Sequence, residues 1–90
     1  MTESETAQKV HDALTKARAV PAQQALPILN GLMPLVQGAG GNQDMEVDDA
    51  RASAFMAICE VGKALHRGQP AEKLFVSAVE AAQRWKTLAG

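Results

Sequence analysis

The two groups in this chain best suited to chemistry are a thiol and an imidazole, Cys59 and His66, in the stretch AICEVGKALHR. Within hydrogen-bond reach they would make an activated nucleophile, the imidazole drawing off the thiol proton. Their spacing argues against a direct pair. Seven residues of α-helix rise about 10.5 Å, so two groups on one flank of one helix act together only if a residue from another helix or subunit joins them. Cys59 and His66 therefore stand as a possible redox or ligand site, the core of an alternative reading as a small Cys/His-dependent enzyme subunit or a metal- or ligand-responsive regulator. Each also has a purely structural account. A single thiol behaves as a small, half-buried hydrophobe, and an imidazole followed by Arg67 suits the negative end of a helix.

Other reactive patterns are weaker. Metal ligation lacks a Cys-x-x-Cys, His-x-x-x-His or His-Glu-x-x-His spacing, leaving only His11 or an acidic side chain as further ligands. The acidic run Asp44, Glu46, Asp48 and Asp49 has no turn glycine or late glutamate in register for a calcium loop. It reads instead as carboxylates gathered at the start of a helix, where unpaired N–H groups favour negative charge. The glycine-rich stretch GAGGNQD lacks the lysine and hydroxyl of a phosphate-binding loop. Ser53 and Ser77 sit in helical patterns rather than in a nucleophile elbow. No catalytic residue, cofactor or metal is assigned, and a non-enzymatic role is favoured.

Composition narrows the field further. Nine Lys/Arg against ten Asp/Glu give a net charge of −1, which supplies no positive field for a phosphate backbone, and nucleic acid is not expected as a partner. No apolar stretch reaches the roughly twenty residues that cross a bilayer, and the N-terminus is acidic rather than a basic–apolar leader. A lone cysteine cannot staple the domain, which fits a reducing compartment and a cytoplasmic location. Seventeen alanines and three aromatic residues favour helix over sheet and imply a core of small side chains.

The elements follow from periodicity. A first helix runs from Glu5 to Val20 with Ser4 as its cap, or begins a turn earlier at Thr2 with Glu5 completing a capping box; Thr6, Val10, Ala13, Leu14 and Ala17 share a face. A second, irregular helix kinked or broken by its prolines covers Pro21 to Gln37. On a projection of it, Ala22, Leu26, Leu29, Met33 and Val36 form one stripe, and Ile28, Leu32 and Leu35 point the opposite way. Residues 38–46 form a glycine-rich acidic loop separating two helical pairs. A third helix, Val47 to His66, centres on Val47, Ala54, Ile58, Val61 and Leu65. Ala50, Ala57 and Ala64 flank it on one side, Phe55 and Gly62 on the other, where low relief at Gly62 suggests a tightly fitted neighbour. Lys63 and Arg67 share its solvent face, and Arg51 begins the same helix without making a dense basic stripe with them. Gly68 is a natural left-handed cap, and Pro70 starts a fourth helix to Leu88 with Leu74, Ala78, Ala81, Trp85 and Leu88 inward. The short turn at 67–70 makes the last two helices an antiparallel αα-hairpin.

The expected architecture is a single all-α domain over residues 1–90, a small four-helix domain. A ninety-residue chain buries roughly 60–65% of its extended surface, and a segment apolar on two sides asks for cover on both. These features predict a protein–protein interaction or assembly-stabilising module, a helical homodimer with the option of another protein as partner. The expected interface comprises Ile28, Leu29, Leu32, Met33 and Leu35, with Met56 and Val76 forming an outer patch if the hairpin brings them together.

Overall fold

The computed structural model describes residues 2–90, and two of its four helices start on side-chain caps written in the chain. α1 (Glu3–Arg18) opens with a capping box: the Thr2 hydroxyl accepts from the Glu5 N–H at 3.1 Å, while the Glu5 carboxylate accepts from the Thr2 N–H at 3.2 Å. Reciprocal pairing satisfies two amides that a helix start otherwise leaves free. α2 spans Ala22–Gly38, α3 Met45–His66 and α4 Glu72–Ala89, and no strand occurs among the described residues. α3 starts on Asp44, whose carboxylate accepts from the N–H groups of Glu46 and Val47. It ends in a Schellman motif. Gly68 adopts φ +67°, the Gln69 N–H reaches the Ala64 carbonyl at 2.8 Å, and the Gly68 N–H reaches that of Leu65 at 3.2 Å. Only glycine enters that backbone region without strain.

Short connections make sequential helices antiparallel neighbours. α1 packs on α2, α2 on α3, α3 on α4 and α4 back on α1, while no Cα atoms of the diagonal pairs come within 8 Å. The result is a four-helix bundle of 38 × 20 × 18 Å whose last two helices are the expected αα-hairpin. One end collects the starts of α1 and α3 with their carboxylates. The other collects the end of α1, the end of α3 and the start of α4, joined by Arg18, which donates from Nε to Glu72 Oε1 at 2.9 Å and again from a terminal nitrogen.

The second helix corrects its projection. α2 continues through Pro27 and Pro34, so neither Asn30-Gly31 nor a proline breaks it. Both prolines lie seven apart on the exposed face. The carbonyls of Gln23 and Asn30, which lose an amide donor to proline, belong to exposed residues where water can replace it. The helix is irregular in its hydrogen bonding and covalently stiff on its outer side. Its buried stripe is Ala25, Leu29, Leu32 and Val36, spaced four, three and four. Leu26 with Met33 and Ile28 with Leu35 form the two half-buried flanks of this single face; they are not opposite faces. Pro21 stands at the N-cap rather than inside the helix.

Small residues let the helices come close. Ala50, Ala54 and Ala64 of α3 and Ala78 and Ala82 of α4 are buried, and Trp85 is the largest fully buried side chain. On α4 the buried stripe is Phe75, Ala78, Ala82 and Trp85, which moves Leu74, Ala81 and Leu88 from the expected centre to a half-buried flank. No buried side-chain nitrogen or oxygen among the described residues lacks a hydrogen-bond partner, as a settled core requires.

Candidate functional site

The groove between α2 and α3 holds both residues singled out for chemistry. Towards the His66 end it is an open depression of about 480 Å³, lined by Leu26, Asn30, Gly62, Lys63, His66 and Arg67. It adjoins a more apolar hollow of about 260 Å³ that shares Asn30, Gly62 and Lys63 and adds Leu29, Met33, Ile58 and Cys59. Half-buried Cys59 thus lies in one compartment and exposed His66 in the next, with Lys63 between them. The groove exists because Gly62 carries no side chain and α2 turns Leu29 and Met33 towards it. A Cβ built on Gly62 meets nothing within 4 Å. The expectation of a closely fitted neighbour there is corrected: Gly62 borders open space.

Chemically, the groove offers an apolar floor and a cationic rim. The axial rise between Cys59 and His66, about 10.5 Å on a common helix, keeps thiol and imidazole from acting as a nucleophile–base pair, and no carboxylate lines either compartment. Among the described residues no three His, Cys, Asp or Glu side chains converge as a metal site. His11 sits elsewhere, on α1, its Nδ1 3.4 Å from Asp12 Oδ1.

The acidic loop region is occupied by structural work. The Glu3 carboxylate accepts from the Trp85 indole Nε1 at 2.8 Å through one oxygen and from Asn42 Nδ2 at 3.0 Å through the other. Asn42 also accepts from the Asp44 N–H at 2.7 Å. Asp48 accepts from Arg51 Nε at 2.9 Å and from the Gly41 N–H at 3.2 Å, and the Arg51 guanidinium, then the Gly41 amide, hold its carboxyl below the usual carboxylate range. Arg51 reaches on to the Val36 carbonyl at the end of α2 and lies 3.2 Å from where a Gly40 Cβ would stand. With a side chain only 14% exposed, Arg51 is a buckle across the loop. The loop between the two helical pairs is pinned to α1 and α3, and α4 closes onto α1.

Among the interface candidates, Leu29 and Leu32 are 2% and 4% exposed and so belong to the core of one subunit. Ile28, Met33 and Leu35 pack half-buried against that core. Met56 is 67% exposed and Met45, which the sequence pattern did not single out, 77%. Val76 follows Glu72, the partner of α1's Arg18, by one helical turn, which puts it on the α1 edge of α4. Met56 adjoins Gln37 at the end of α2 in a hollow of about 250 Å³. The hairpin therefore does not unite Met56 and Val76 in one patch, because each lies on the edge turned away from the other's helix. Exposure at a helix start was the missed signal for Met45, since a residue in the first turn has no preceding turn to cover it. No helix is long and apolar enough to cross a membrane among the described residues. Comparison with protein-family models, curated proteins and solved structures gave no match.

Proposed function

We propose that this domain is a protein–protein association module that works as a helical homodimer, joining or stabilising a larger assembly in a reducing, cytoplasmic setting. The observation that carries the reading is the pair Met45 and Met56. Both are large apolar side chains turned outward on α3, whereas the other large apolar residues among those described are at least half-covered. Methionine adapts its shape to a partner surface more readily than branched side chains do. The half-buried Ile28, Met33 and Leu35 add apolar area on the α2 side, and the neighbouring groove between α2 and α3 has an apolar floor with a polar rim, the arrangement of many protein interfaces. Light scattering over a wide concentration range tests the proposal. The expected result is a mass rising from 9.5 kDa towards twice that value; a mass fixed at the monomer value up to millimolar concentration would overturn it.

A further inference from the structure

The outward face of α3 carries a pattern of its own. Met45, Asp49, Ala52, Met56, Cys59 and Lys63 recur at alternating intervals of four and three residues, the spacing of a seam along which two helices lie against each other. These residues stand opposite the stripe of Val47, Ala54, Ile58 and Val61 that faces the bundle, and all six are exposed or half-buried. The middle of the seam is apolar or small. Its ends are charged with opposite sign: Glu46 and Asp49 near the start of α3, Lys63 and Arg67 near its end, with Glu60 resting on Lys63 at 3.5 Å. Asp49 and Glu46 are exposed and have no ion-pair partner among the described residues.

We infer that the occupant of this face is α3 of a second copy of the chain, laid antiparallel about a twofold axis through Met56. This deepens the proposed association and rests on it. Asp49 and Lys63 each lie seven residues from Met56. With Met56 on the axis, Asp49 of each copy therefore stands opposite Lys63 of the other, and the pair forms twice. A parallel arrangement would instead place Asp49 on Asp49 and Lys63 on Lys63, which like-charge repulsion disfavours. The hollow beside Met56, bounded by Gln37, Arg51, Ala52 and Phe55, receives the methionine of the second copy. A surface that complements itself under a twofold operation closes at two subunits instead of growing into a fibre.

The test uses two charge reversals on the full chain, D49K and K63E, studied separately and mixed. Alone, each variant sets like charges against each other at both symmetric positions, and its dimer dissociation constant is expected to rise on the order of tenfold or more. Mixed in equal amounts, they restore opposite charges at both positions, and a heterodimer near wild-type affinity is expected by sedimentation velocity. Helical content by circular dichroism confirms that each variant is folded, and the wild type is run alongside. A dimeric wild type with single variants of unchanged affinity, or a mixture no tighter than its components, overturns the antiparallel register while leaving association standing. A monomeric wild type overturns both.

Discussion

The indole N–H of Trp85 donates to the carboxylate of Glu3 across 82 positions of sequence, at 2.8 Å. This bond ties the last helix to the first and gives the polar edge of the largest core side chain its partner. The same carboxylate holds Asn42, so one side chain fastens α1 to α4 and to the connection between α2 and α3.

Replacing Glu3 by alanine leaves the indole N–H facing the core without an acceptor, and a cost of about 1–3 kcal/mol is expected. Paired with Trp85→Phe in a double-mutant cycle by urea unfolding, the coupling should reach about 1 kcal/mol. Additive effects would show that the bond contributes nothing beyond packing. Glu3→Gln keeps an acceptor and should lose less than Glu3→Ala.

Two glycines lie inside helices with room around them. A Cβ on Gly31 or Gly62 meets nothing within 4 Å, so alanine at either position should raise stability by roughly 0.5–1 kcal/mol through the unfolded chain's lower freedom. Denaturation midpoints read this directly. A destabilised Gly62→Ala would mean that the groove floor must move against α2.

The loop buckle sets an acid limit. The Asp48 carboxyl is lowered by Arg51 first and the Gly41 amide second, and Glu5 is lowered by the Thr2 amide and hydroxyl. Because these folded values lie below those of the unfolded chain, the stabilisation is complete above the ordinary carboxylate range, about pH 4. It is lost as pH falls through the lowered values. Asp48→Asn should therefore flatten the acid side of the stability–pH curve, measured by urea unfolding between pH 7 and pH 3. A variant whose acid loss equals that of the wild type would remove Asp48 from the account.

Local signals were readable along the chain. The Thr2–Glu5 box, the Gly68 cap, four helices and the final hairpin all depend on residues a few positions apart, and the structure has each of them. Distant partners were not readable. Arg51 shows in the sequence only as a cation beginning the third helix, yet the carbonyl end of α2 and Asp48 draw it inward. In α2, apolar residues surround too much of the helix for a projection to choose the buried centre. The prolines do choose it, since both fall on the side away from the bundle. The Cys59–His66 spacing already excluded a direct pair, and the groove that contains them depends on how α2 lies against Gly62, a tertiary feature.

The central claim is association through the outward face of α3, and sedimentation equilibrium of the wild type beside Met56→Lys tests it most directly. The wild type is expected to approach twice 9.5 kDa with rising concentration, while the folded variant stays at the single-chain mass. A wild type that remains at the single-chain mass, or a Met56→Lys protein that dimerises as tightly as the wild type, would contradict the account.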